Sequence, residues 1–117
     1  MICIRQHSED NKLNDINQFL IDIDQYFKVE SWIIEIDECL GDNATSIENE
    51  SRGGKEFSDE IFRSRYKSIY QTIDGSFSIK ENGHVVAKLL AVDSSSWDIE
   101  SSNPNFEKHM LSKYGAY

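Results

Sequence analysis

The dipeptide Asn82-Gly83 constrains this chain more than any other pair of residues in it. Both residues tolerate the positive φ that a tight hairpin turn requires. Before Glu81-Asn82-Gly83, the segment Ser76 to Lys80 alternates, with Phe77 and Ile79 in phase. After it, His84 to Asp93 (HVVAKLLAVD) is a nearly continuous apolar run and reads as a long, central strand. Ser94-Ser95-Ser96 then turns the chain into a further strand at Trp97 to Glu100. Consecutive strands joined by short turns pair antiparallel.

The segment Val29 to Leu40 (VESWIIEIDECL) has the period of a strand. Trp32, Ile34 and Ile36 fall on one face, and Ile33, Glu35 and Asp37 on the other. A strand with two carboxylates on one side needs water there. Gly41 and Asp42 end it. Met1 to Gln6 alternates more weakly, with Ile2 and Ile4 on one face.

Helical spacing appears twice at length. Leu13, Ile16, Phe19, Leu20, Ile23, Tyr26 and Phe27 draw one stripe, predicting a helix from about residue 10 to 28. Ser8 to Asn14 supplies its capping residues and early acids, and Asp15, Asp22 and Gln25 fall mostly on its polar side. Ser58-Asp59-Glu60 makes a good second start, a hydroxyl cap followed by acids at the positive end of the helix dipole. Ile61, Phe62, Tyr66, Ile69, Tyr70 and Ile73 continue it, Arg63, Arg65 and Lys67 decorate it, and Asp74-Gly75 stops it. Pro104 opens a short last helix, about Asn105 to Tyr114, which Gly115 ends. Between the second strand and the second helix, residues 41–57 read as a long polar loop pinned by Ile47.

The predicted fold is α+β, one domain over residues 1–117. It is a mainly antiparallel sheet of about four to five strands, with two longer helices and a short C-terminal helix. Phe19, Tyr26, Phe62, Tyr66 and Tyr70 lie on helical stripes and are expected in the core. Trp97, Tyr114 and Tyr117 are less constrained, and Tyr117 suits an anchor for a partner. No apolar run approaches the length of a membrane span, and the N-terminal segment lacks a basic stretch followed by an apolar one. The expectation is a cytoplasmic protein with no membrane association. Cys3 and Cys39 are then expected as reduced, buried thiols.

The net charge is −9, from 21 Asp and Glu against 12 Lys and Arg. An acidic chain is repelled by phosphate, which argues against nucleic acid as a partner. The charge is also local. Residues 29–60 hold ten acids against Arg52 and Lys55, a net of −8. A solvated face chosen for solubility is one explanation. The other is a recognition surface for a basic partner, because complementary potentials speed association and select the partner. The candidate partner-binding residues are Glu35, Asp37, Glu38, Asp42, Glu48, Glu50, Asp59 and Glu60.

Known chemical motifs are missing. There is no phosphate-binding glycine loop, no nucleophile elbow and no closely spaced ligand set among His7, His84 and His109. Asp37 and Glu38 precede Cys39, and their charge raises rather than lowers a thiol pKa. Asp74 and Asp93 read as turn caps. No catalytic residue, cofactor or metal is expected. A paired-carboxylate hydrolase using Glu35 and Asp37, a composite metal site, or a non-catalytic adaptor subunit remain the alternatives.

In general character the chain resembles the small acidic immunity proteins of bacterial toxin systems, especially those of contact-dependent growth inhibition. The segments that carry the likeness are SWIIEIDECLG (Ser31 to Gly41) and the polar stretch after it, TIDGSFSI (Thr72 to Ile79), and AVDSSSWDIES (Ala91 to Ser101). The resemblance implies a cytosolic, non-catalytic protein that binds one cognate toxin domain, often a nuclease, and blocks it. It carries over no individual functional residue.

Overall fold

The computed structural model describes every residue from Met1 to Tyr117. In chain order the elements are β1 (Ile2–Arg5), α1 (Ile16–Tyr26), β2 (Ser31–Gly41), α2 (Ala44–Glu50), β3 (Lys55–Ser58), α3 (Asp59–Tyr66), β4 (Ile69–Glu81), β5 (His84–Val92), β6 (Ser96–Ser101) and α4 (Pro104–Tyr114). Six strands form one sheet in the order β1-β6-β5-β4-β2-β3. Every pairing is antiparallel. The α+β class is as expected, with six strands in place of four or five. The β4–β5 hairpin turns through Asn82 at φ 51° and Gly83 at φ 77°.

One face of the sheet holds the core. Ile16, Phe19 and Ile23 of α1, Phe62 and Tyr66 of α3, and Phe106 and Met110 of α4 pack with the buried side chains of the strands. Aromatic rings run across it without a break. Trp32 stacks on Phe62 at 4.3 Å, Tyr66 meets Phe77 edge-on at 5.6 Å, Phe77 leans on Trp97 at 5.8 Å, and Trp97 meets Phe19 at 5.4 Å. Each such ring pair adds about 0.5–1.5 kcal/mol beyond its buried area. The molecule is 21 Å thick against 34 and 33 Å across, the depth of a sheet with one layer of helices. The other sheet face carries Cys3, Ile33, Glu35, Ser76, Ser78, Lys88, Leu90, Asp98 and Glu100 in register.

The stretch expected as a loop, residues 41–57, is built instead into α2 and β3. It closes the outer edge of β2. β3 pairs with Ser31 to Ile34. Beyond that point the Ser51 hydroxyl accepts the Ile36 N–H at 2.9 Å, and the Glu48 carboxylate accepts the Cys39 N–H at 3.0 Å. Ile47, fully buried, anchors the helix to the core.

The second helix is shorter than its stripe. α3 ends at Tyr66, and Ile69 already begins β4. Residues 69–73 are mostly β-branched, aromatic or amide side chains that suit a pleated surface, and β2 supplies the pairing partner. Tyr70, expected in the core, is 58% exposed as a result. Asp74-Gly75 therefore lies inside β4 rather than stopping a helix. α4, Pro104–Tyr114, lies within one residue of its expected bounds, and at 11 residues it equals the shortened α1 in length.

α1 starts at Ile16, later than its spacing suggested. Residues 8–12 close a turn instead, with the Ser8 N–H on the Lys12 carbonyl at 2.9 Å and Asn11 at φ 63°. Asp15 and Asp22, expected on the wet side of α1, are both fully buried. Trp97 is fully buried, with its indole N–H on the Asn14 carbonyl at 2.8 Å. Cys39 is buried as expected, whereas Cys3 is only partly covered. His109, expected on the helix surface, is half-buried against Asp22. No helix is long and apolar enough to cross a membrane.

Candidate functional site

The fold divides the eight candidate acids into two groups. Glu48 is held by the Cys39 N–H. Glu50 accepts from the Arg65 guanidinium and from the Ser46 hydroxyl at 3.0 Å. Asp59 accepts the Trp32 indole N–H and the Arg63 Nε–H, both at 2.8 Å. Arg63 also grips Asp24 at 2.7 and 2.9 Å, so one guanidinium ties α3 to α1. These three acids serve the chain's own packing. So does Glu56, which Ser31 and Lys80 hold. The Ser31 hydrogen bond, helped by Lys80, keeps its carboxyl below the usual range.

Glu35, Asp37, Glu38, Asp42 and Glu60 are exposed. No ion pair of the chain includes any of them. Glu35 stands on the uncovered sheet face because the alternation of β2 puts Ile34 and Ile36 into the core. After Ile36 a bulge shifts the register, so Asp37 and Glu38 both point outward before Cys39 returns inside. Two adjacent exposed carboxylates are a product of that bulge. Glu60 lies apart, on α3.

Asp74 stands beside this group, without an ion-pair partner but with one backbone donor. β4 places it opposite Glu38, and its carboxylate accepts the Asp93 N–H at 2.8 Å. A recess of about 330 Å³ is lined by Glu35, Asp37 and Asp74 together with Ser76, Leu90 and Val92. A second, of about 230 Å³, lies on the other side of β2 between Glu35, Asp37, Glu48 and Arg52. Glu35 and Asp37 thus form a ridge between two recesses. In the sequence Asp74 reads as a turn cap, because TIDG looks like a helix stop. Its place in a strand depends on β2, more than thirty residues away. Asp98 and Glu100 of β6 stand further along the same face, with Lys88 opposite Glu100.

Two other polar clusters are internal. Asp15 accepts the Thr72 N–H at 2.9 Å and the Tyr66 hydroxyl, and Thr72 in turn meets Tyr66. Burial pushes the Asp15 carboxyl up to about 6, against the lowering pull of these hydrogen bonds. Asp22 receives His109 at 2.7 Å, Lys113 at 2.8 Å and the Tyr114 hydroxyl at 2.6 Å. Its burial would raise the carboxyl, but Lys113, Tyr114 and His109 together bring it below the ordinary value. No buried side-chain polar atom lacks a partner. The Cys39 thiol is pushed up to about 12, first by burial and then by Glu48, which leaves almost no thiolate at neutral pH. Nowhere do three or more His, Cys, Asp or Glu side chains converge as a metal-ligand set. No protein-family model, curated protein or solved structure matches this chain.

Proposed function

We propose that this chain is an immunity-type protein that binds and neutralises a basic partner, a toxin domain of nuclease type, and performs no chemistry itself. The observation that carries the reading is the division among its acids. Those on α2, β3 and α3 are mostly matched by the chain's own donors, whereas Glu35, Asp37 and Glu38 on β2 have no cation of their own. Uncompensated like charges oppose folding slightly and contribute nothing to the isolated monomer. They fit a chain whose counterpart brings the positive charge. A nuclease must hold phosphate in a basic cleft, and an acidic surface suits such a cleft. Long-range attraction then raises the encounter rate by one to three orders of magnitude at low salt. The action belongs in the cytoplasm, where such a toxin meets its nucleic-acid substrate.

The test uses the product of the reading frame next to this one, with its activity measured alone and with one equivalent of this chain. Inhibition at that ratio is expected. Changing Glu35 and Asp37 together to Lys should slow association at least tenfold and flatten its dependence on salt. An unchanged association rate would move the contact elsewhere. Turnover by the isolated chain, or one equivalent of tightly bound zinc or manganese, would overturn the reading outright.

A further inference from the structure

Helices cover only one face of the sheet, and the opposite face has no layer against it. We propose that this uncovered face is the docking surface, and that a Lys or Arg side chain of the partner seats in the recess between β2, β4 and β5. The proposal rests on the reading of the chain as a binder of a basic protein, and names the face and the anchor. The stem of the inserted side chain lies along Leu90 and Val92, and its charged head meets Glu35, Asp37 and Asp74.

Four observations lead there. Leu90 is 38% exposed in the middle of the sheet, with Ser76 and Asp98 as its cross-strand neighbours. Apolar surface beside free carboxylates is what a long cationic side chain recognises, since its stem is apolar and its tip charged. The carboxylates of the recess have no lysine or arginine within ion-pair distance, although Lys80 and Arg63 neutralise acids elsewhere. Arg52 lines the neighbouring recess but gives its guanidinium to Asn49. The face, within a molecule 34 by 33 Å across, is wide enough for the about 800 Å² that a standard interface takes from each partner. A second copy is a poor occupant, because two such faces would bring Glu35, Asp37 and Asp74 against their own like charges.

The test is a titration of the isotope-labelled full chain with a hexa-arginine peptide at low salt, followed by backbone amide shifts. The largest shifts are expected at Glu35, Ser76, Leu90 and Asp74. The variant E35Q/D37N should weaken binding at least tenfold, while E60Q, on α3, should leave it within twofold. Circular dichroism and amide spectra of each variant establish that it is folded. Shifts centred on α2 and α3, or equal losses from E60Q and E35Q/D37N, would overturn the choice of face while leaving a basic partner in place. No binding by the unmodified chain would overturn both.

Discussion

Asp15 shows how one residue can tune this fold. It caps α1, yet it is fully buried beneath Tyr66 and Thr72. Its carboxyl titrates near 6 in the folded chain, raised by burial, against about 3.9 when unfolded. Between those two values the folded state holds the proton more tightly. Stability from this group is therefore full below about pH 4 and falls as pH rises through about 6, by about 3 kcal/mol. Asp15→Asn should abolish that fall. Urea unfolding of both chains at pH 4, 5, 6 and 7 would show the gap between them changing across this window. A constant gap would mean that Asp15 stays charged throughout. Asp22 has the opposite sign. Its lowered carboxyl stabilises above the unfolded value and loses that contribution as pH falls below about 4. Neither burial follows from residue type, since aspartate is normally placed outside. The spacing held a sign of both, because Asp15, Phe19, Asp22 and Tyr26 are four, three and four apart and share one side of the helix.

At the scale of elements, the segment from Gly41 to Phe57 carries the main lesson. Its polarity suggested a loop. What orders it is the exposed edge of β2, whose unpaired N–H groups need acceptors. Ser51 and Glu48 provide them at 2.9 and 3.0 Å. Ser51→Ala leaves the Ile36 N–H without a partner in a buried setting and should cost about 1–3 kcal/mol. Glu48→Ala should speed hydrogen exchange at the Cys39 amide at least tenfold. Unchanged protection at that amide would show that α2 is not held by the edge. Gly41 is fixed for a different reason. It sits at φ 148°, and a Cβ there would collide with the Ser68 carbonyl oxygen. Gly41→Ala should shift the start of β4 and lower the melting temperature by several degrees.

Across the whole molecule, charge and topology act together. β2 is paired on both sides over Ser31 to Ile34, with β3 and β4. Its bulge turns Asp37 and Glu38 outward and sets Glu38 opposite Asp74. Like charges directly opposite each other across a sheet destabilise it by a few tenths of a kcal/mol or more. Glu38→Gln, which removes the charge in register with Asp74, should therefore raise the melting temperature of the isolated chain by about 1–3 °C, while weakening capture of a basic partner. Scanning calorimetry beside a binding assay would test both signs. A fall in melting temperature would mean that Glu38 stabilises the monomer through contacts of its own.

Local chemistry was enough to place the Asn82-Gly83 hairpin, the two-faced strand around Trp32, the α+β class and the acidic block, because turn geometry and side-chain alternation act between near neighbours. It did not reveal where α3 ends. Tyr66, Ile69, Tyr70 and Ile73 suit helical spacing, and only pairing with β2 turns the last three into strand. It also did not separate the free acids from the engaged ones. Arg63 and Asp59 are within local reach, four apart on α3, but Arg65, Lys80 and the bare edge of β2 reach Glu50, Glu56 and Glu48 through the fold, and a charge is neutralised by what lies near it in space.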